Sequence, residues 1–387
     1  MNEQAENQPP GGGMGRRGSL AAAGLTAAGA ALAATEGRAL AASPRGQAAT
    51  AGAFSVPIED VRHTRTWMAW PDSTSIWGRK LLSGVQADIA LIARTIAKYE
   101  PVIMCANSGS AAGARSMCGS SVTVISSIPV DDCWMRDSGP VFRTNGSGGL
   151  DAVGLNFNGW GKKQTHAKDA LVAGRIAAYV GVPFTSAGLV GEGGAIEQDG
   201  AGTLMATRSS LISTKRNPGK SQTQLETAMC AAYGASEVIW FDGVSGQDIT
   251  DDHVDATSRF RAPGQALVQM PLATDTDAYA KDARQEYQIL SASTTASGSP
   301  MSVSQLQGPD YHKIRSTDRN FLASYANYYV CDGAVISGQF GDTQADAAAK
   351  ATLSRLYPGR VIEQLNIDRL GTGGGGIHCV TQQQPVP

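Results

Sequence analysis

In 387 residues, 32 Lys and Arg stand against 34 Asp and Glu, a formal net charge of −2, so the cationic surplus that counterion release on nucleic acid requires is missing. Hydrophobic residues at 42% and charged residues at 17% describe a globular core, not a disordered chain. Six cysteines show no CxxC pair and no Cys/His cluster at ligand spacing, which argues against structural zinc.

The chain opens with a polar stretch, and Arg16-Arg17-Gly18-Ser19-Leu20 then leads an Ala/Gly-rich run from Ala21 to Ala34. Paired arginines ahead of a mildly hydrophobic segment have the pattern of a twin-arginine export signal, which predicts an extracellular or periplasmic destination. A disordered Ala/Gly tail is the other reading. The expected organisation is a signal over 1–42, a linker over 43–55 and one catalytic domain over 56–387. No apolar run of about 18 residues follows residue 45, so no stable membrane insertion is expected of the body. A protein exported already folded needs no disulfide framework, and Cys105 with Cys118 is an optional pair.

Helices are predicted over Leu81–Tyr99, Ala167–Tyr179, Ser221–Tyr233, Thr276–Ser291 and Thr343–Tyr357, from apolar spacing of three to four residues and from caps at their ends. Each precedes a short extended run: 101–105, 182–184, 237–240, 302–304 and 360–363. Hairpins are predicted at Asn145-Gly146, Asp199-Gly200, Pro263-Gly264 and Asp332-Gly333. About five hairpin–helix–strand units follow from this order, and they can close radially into a ring that hides its sheet edges or lie in a conventional α/β sandwich with extra hairpins.

Ionisable residues fall at comparable places in these units. Successive intervals from Asp137 to Glu192, His253, Asn327 and Cys379 are 55, 61, 74 and 52 residues. In a radial arrangement such places converge on the axis, and carboxylates, an imidazole and a thiol gathered there make a catalytic site.

Five blocks then carry a family resemblance: 66–71 (TWMAWP), 132–140 (DCWMRDSGP), Glu192-Gly193-Gly194, His253-Val254-Asp255, and 375–385 (GGIHCVTQQQP). Together, and in this order, they resemble the agmatine deiminase and bacterial peptidylarginine deiminase family of guanidino-group-modifying enzymes. The resemblance runs from about residue 57 to the C-terminus and implies the five-bladed α/β propeller, or pentein, fold. Two departures stand out. Asp252 and Ala256 flank His253-Val254-Asp255 where agmatine deiminases usually have Gly and Asn, and Ala195-Ile196-Glu197 replaces the usual Ser-Ile-His.

The chemistry has its own logic. A guanidinium carbon is a poor electrophile because its charge is spread over three nitrogens. An enzyme must localise that charge, supply a strong nucleophile and protonate departing ammonia. A thiolate suits the second task, which selects Cys379, placed in the last strand candidate after a glycine run. Alone, a cysteine in an apolar strand would read as core. Asp137 and Asp255 are expected to grip the guanidinium through charge-assisted hydrogen bonds, a role the resemblance also implies. The resemblance selects His253 as general acid and base, with Glu192 as its carboxylate partner. His378 is set aside, because on a strand it points away from Cys379. Trp134, Asn327 and Gly376 are candidates for lining the substrate.

Asp248, Asp251, Asp252 and Asp255 place four acids within eight residues around His253. Such a run favours a substrate with a second positive charge, as in agmatine, and Asp252 is the acid expected to bind it. A solvated acidic loop is the plainer reading. Export points equally to arginine in peptides, so agmatine leads and peptidyl-arginine follows. A non-catalytic guanidine- or polyamine-binding protein is the alternative from another class. No metal or organic cofactor is expected, and a homo-oligomer is left open.

Overall fold

The computed structural model describes residues 52–387. The paired arginines and the whole predicted signal lie outside the described residues, as does the predicted linker up to residue 51. Its last residue, Ser55, already belongs to the fold, since it exchanges two 2.9 Å backbone hydrogen bonds with Thr144.

Four three-stranded sheets share one pattern: an antiparallel pair, a helix, then a third strand parallel to the second. Their strands are 141–144, 150–154 and 184–186; 196–198, 203–207 and 237–241; 258–262, 265–270 and 302–307; 329–331, 334–338 and 361–365. The intervening helices are Val172–Val180, Gln222–Tyr233, Ala278–Ala292 and Thr343–Leu356. A fifth sheet joins the first described strand to the last. C-terminal strand 382–385 pairs antiparallel with 63–69, which pairs parallel with 102–105 across helix Thr74–Ile96, and 122–125 extends the edge.

Local chemistry sets these elements. Ser221 accepts from Gln224 N–H while the Gln224 side chain accepts from Ser221 N–H, a reciprocal cap on helix Gln222–Tyr233. At the 199–202 turn, Asp199 Oδ1 accepts the N–H groups of Ala201 and Thr203 at 2.8 and 2.9 Å. Gly200 takes the left-handed conformation there, with φ 74°.

Two differences from the sequence expectation have simple causes. Helix Val172–Val180 closes with Gly181 at φ 78°, and Val182 N–H returns to Ala177 O at 3.1 Å. That closure takes up Val182, so the strand runs 184–186 and not 182–184. The first helix starts seven residues before Leu81 because helical turns on both sides of Gly78 (φ 68°) run together. Among the described residues all six cysteines are free thiols, Cys105 and Cys118 included. No described helix is long and apolar enough to cross a membrane.

Candidate active site

The candidate residues share one position in the fold, just ahead of the first strand of a sheet. Asp137 lies in the helical turn Met135–Ser138, and Glu192 directly precedes the 3-10 turn Gly193–Ala195. His253 caps the 3-10 turn Val254–Ala256, which holds Asp255. Asn327 precedes strand 329–331, and Cys379 lies in the 3-10 turn His378–Val380. These turns pack in succession: 378–380 on 135–138, 135–138 on 193–195, and 193–195 on 254–256. Side chains far apart in sequence thereby meet.

Gly194 marks the meeting point. A Cβ there would lie 2.8 Å from His253 Nδ1, 2.9 Å from Asp137 Oδ1 and 3.0 Å from Asp255 Oδ2. His253 Nδ1 is 3.8 Å from Asp137 Oδ1, and His253 Nε2 is 3.4 Å from Glu192 Oε2. The Cys379 thiol faces Asp255 Oδ2 at 3.8 Å, and the Asn327 amide lies against the sulfur with Nδ2 at 3.3 Å. Cys379 N–H donates to Asn327 Oδ1 at 3.3 Å. Gly376 has to be glycine, since a Cβ would approach Asn327 Oδ1 to 2.6 Å. Trp134 packs on the neighbouring Gly375, where a Cβ would meet its ring at 2.1 Å, and touches the sulfur through no hydrogen bond. The structure therefore brings Cys379, His253, Asp137, Asp255, Glu192 and Asn327 together, with Gly376 and Trp134 alongside.

Each gripping carboxylate has a defined environment. Asp137 Oδ2 accepts the Trp160 indole N–H at 2.9 Å, and Oδ1 accepts Gly194 N–H at 3.1 Å. Burial, with Asp255 and Glu192 nearby, pushes its carboxyl up to about 6 against the pull of His253 and Trp160. Asp255 Oδ1 is buried and has no hydrogen-bond partner among the described residues. An unpaired buried carboxylate oxygen is costly unless something else satisfies it. Around His253, burial opposes protonation, but Asp137, Glu192 and Asp255 outweigh it and raise the imidazole to about 9. Burial and the charges of Asp255 and Asp137 push the Cys379 thiol well above its ordinary range, opposed by Gly376 N–H and Asn327.

Residues 55–385 match the family described as Porphyromonas-type peptidyl-arginine deiminase. The chain belongs to that family. As a member it is an enzyme acting on the C–N bonds of guanidino groups. A Streptomyces coelicolor protein provisionally named an agmatine deiminase is 37% identical over 340 residues, 86% of this chain and 99% of that protein. The agmatine deiminase of Pseudomonas fluorescens is 31% identical over 361 residues, 87% of this chain and 97% of that enzyme. The mixed α/β fold superimposes on a solved agmatine deiminase of Enterococcus faecalis with a TM-score of 0.80 at 28% identity, covering 86% of this chain and 96% of that one.

Three sequence expectations for this deiminase need correction. Cys379 sits in a 3-10 turn ahead of strand 382–385, not within a strand. With the two-residue alternation gone, His378 is not turned away: it is buried, with Nδ1 2.7 Å from Asp255 Oδ2. Asp252 does not line the site, because its Oδ2 accepts Val244 N–H at 3.1 Å and its carboxyl group faces Asp282. Its φ of 69° is left-handed, which accounts for the glycine usual there in the family.

The acidic run is likewise taken up by structural partners, most of them from other segments. Asp251 Oδ2 binds Lys163 Nζ at 2.7 Å and Arg216 Nη1 at 2.9 Å. Asp248 takes Thr250 Oγ1 and the Tyr279 hydroxyl, each at 2.6 Å.

Arg216 and Trp160 escaped the sequence reading, and so did Glu59. No short motif carried Arg216 or Glu59. Trp160 had a signal in its setting, Asn158-Gly159-Trp160-Gly161, a glycine-flanked aromatic. Among the described residues one group, His63, Glu100 and Asp332, places potential metal-ligand atoms within 4.8 Å of one another. Its lone pairs already serve donors, with Glu100 Oε2 accepting Asp332 N–H at 2.7 Å and His63 Nδ1 lying 3.1 Å away.

Proposed function

We propose that this enzyme hydrolyses the guanidinium of agmatine to a ureido group and ammonia through a covalent intermediate on Cys379. The observation that carries this reading is the buried Asp255 carboxylate, with one oxygen unpartnered, beside a sulfur and across the Gly194 notch from Asp137. A planar cation between two carboxylates receives charge-assisted hydrogen bonds from both sides, which holds its carbon against the sulfur.

Binding of that cation would also offset the field that keeps the thiol protonated. The thiol gives up its proton to solvent, and the thiolate forms a C–S bond to the guanidinium carbon. As the tetrahedral adduct collapses, a C–N bond breaks, and the His253 proton leaves with ammonia. Neutral His253 takes a proton from water, whose oxygen attacks the thiouronium carbon. The C–S bond breaks with its electron pair on sulfur and the hydroxyl proton of the adduct passes to that sulfur, leaving the ureido product and restoring the Cys379 thiol. Glu192 orients the imidazole throughout.

Agmatine is preferred because the agmatine deiminases of Pseudomonas fluorescens and Pseudomonas aeruginosa are each 31% identical over 87% of this chain. Peptidyl-arginine is the second reading, favoured by the description of the matching family. We read the five sheets as blades of a closed α/β propeller, supported by their common strand pattern and by the pairing of the C-terminal strand 382–385 with the first strand, 63–69. The Arg16-Arg17 segment supports export by the twin-arginine route.

The test is ammonia release from agmatine, from a blocked arginine ester and from an arginine peptide. Turnover of agmatine well above the peptide is expected, and equal or better turnover of the peptide rejects agmatine. Mass spectrometry during turnover should find an adduct on Cys379, and Cys379→Ser should fold but not turn over. Substantial activity in that variant rejects the nucleophile.

A further inference from the structure

Asp255 presents two unequal oxygens, and the reason lies one residue before the nucleophile. His378 is buried between two carboxylates, with Nδ1 2.7 Å from Asp255 Oδ2 and Nε2 2.9 Å from Glu59 Oε2. Glu59 is itself fixed from several sides. Its Oε1 accepts Val330 N–H at 2.8 Å and Arg259 Nη2 at 3.2 Å, and its Oε2 accepts Arg136 Nη2 at 3.0 Å. Burial disfavours the Glu59 charge, but His378, Arg259 and Arg136 outweigh it and hold the carboxyl well below its usual range. The row Glu59–His378–Asp255 thus starts at a fixed anion and ends at Asp255 Oδ2, the oxygen 3.8 Å from the Cys379 sulfur, while Oδ1 of the same carboxylate is left without a partner.

A carboxylate alone turns easily about its last bond, and its terminal torsion is broad and two-fold. A ring N–H at 2.7 Å on one oxygen fixes the plane of the group, and with it the direction of the other oxygen. We propose that His378, braced by Glu59, is a positioning residue that locks the Asp255 carboxylate in its gripping orientation, with Oδ2 held toward the Gly194 notch and the Cys379 sulfur. The ring makes no contact with the reacting atoms in this role. It acts through Asp255, as a residue behind a site residue fixes its geometry. This inference rests on the guanidine hydrolysis proposed above.

Two substitutions separate positioning from mere packing, because they imitate different ring nitrogens. The amide N–H of His378→Asn falls near the place of Nδ1 and keeps the bond to Asp255. The longer His378→Gln brings its amide near the place of Nε2 and keeps only the Glu59 side. His378→Asn should retain kcat/KM for agmatine within about tenfold of wild type. His378→Gln should lose about 100-fold or more, chiefly in kcat, since misplacement by about 1 Å has an effect of that order. A packing role predicts equal losses, so equal variants, or Gln above Asn, overturn the proposal.

A measurement on the wild-type protein covers the case in which the variants do not fold. With 15N-labelled histidine, the Nδ1 proton resonance of His378 should shift when agmatine occupies Asp255, and an unmoved resonance overturns the proposal. The failures are distinguishable. A wild-type enzyme inert toward every guanidino substrate overturns the proposed function and this inference together. An active wild type whose Asn and Gln variants match overturns the role of His378 alone.

Discussion

Arg216 Nε–H is shared between both oxygens of Glu192, at 2.8 and 3.1 Å, and the farther of these oxygens also lies 3.4 Å from His253 Nε2. The same guanidinium reaches Asp251 Oδ2 at 2.9 Å and Thr250 O at 2.8 Å. Arg216 therefore fixes both the carboxylate beside the imidazole and the backbone that delivers it. Left-handed Asp251 and Asp252, with φ 61° and 69°, turn the chain just before His253. Strain of about 1–3 kcal/mol at such residues persists only where the surroundings hold it.

Replacing Arg216 by Met should therefore act on stability and on the imidazole at once. Burial raises the Glu192 carboxyl, and Arg216, then His253, pull it below its usual range. Without Arg216 the carboxylate is buried without its cation, a loss of about 3–5 kcal/mol when one partner of a buried pair is removed. A protonated Glu192 no longer raises His253, so the alkaline break in activity should move to lower pH. Denaturant unfolding and a pH–rate profile check both halves. Unchanged stability would count against the buried pair as drawn.

Two shifted groups should each leave a break in activity against pH, on top of the rise that ionisation of the raised Cys379 thiol imposes. Asp137, raised to about 6 chiefly by burial, must be ionised to take a cation, so kcat/KM should rise as pH passes 6. His253, raised to about 9 by the acids around it in spite of its burial, must be protonated to release ammonia, so the rise of kcat/KM with pH should level off near 9. The stability linkage has its own sign. A folded pKa above the unfolded value of about 6.5 gives stability that is complete below that pH and lost as pH rises through about 9. A kcat/KM that shows no break near pH 9 rejects His253 as the acid.

Trp160 combines a left-handed φ of 55° with a fully made hydrogen bond from its indole N–H to Asp137 Oδ2, at 2.9 Å. Trp160→Phe keeps most of the ring and deletes the donor. The deleted bond favoured the ionised carboxylate, so the Asp137 carboxyl should titrate higher and the acid limb should move up in pH. A hydrogen bond to a charged group contributes about 1.5–3 kcal/mol, so roughly a tenfold loss of kcat/KM is expected near neutral pH. Kinetics of the variant from pH 5 to 8 decide it, and an unmoved acid limb contradicts the assigned role of this bond.

What the sequence exposed and what it hid divide along a physical line. Turn residues and helix periodicity are local, so the hairpin at Asp199-Gly200 and the helix capped by Ser221 were readable from neighbours alone. The nucleophile and the gripping acids stood in long sequence blocks. Hidden were contacts between segments distant in sequence. Glu59 meets His378 across 319 positions, and no spacing rule reaches that far. His378 was misread because a two-residue strand period was applied to a turn. The acidic run around His253 was overread because Lys163 and Arg216, which bind Asp251, come from elsewhere in the chain.

The adjacent glycines 193 and 194 should fail in different ways when each is changed to alanine. A Cβ on Gly193 would meet the backbone oxygen of Arg136 at 2.4 Å, and a main-chain atom inside a packed turn has little room to yield. Gly193→Ala should therefore lower the melting temperature and the yield of folded protein. On Gly194 the three atoms nearest the new methyl would all be side-chain atoms, those of His253, Asp137 and Asp255 at 2.8, 2.9 and 3.0 Å. These can shift, so Gly194→Ala should fold with a melting temperature near that of wild type. The methyl, however, takes the space where the guanidinium is proposed to lie, and displaces both gripping carboxylates. A loss of roughly 100-fold or more in kcat/KM follows from misplacement on the scale of 1 Å. Melting curves and ammonia release from the two variants give the comparison. Near-normal turnover by Gly194→Ala would mean that the cation does not lie between Asp137 and Asp255, and the grip assigned to them would fall with it.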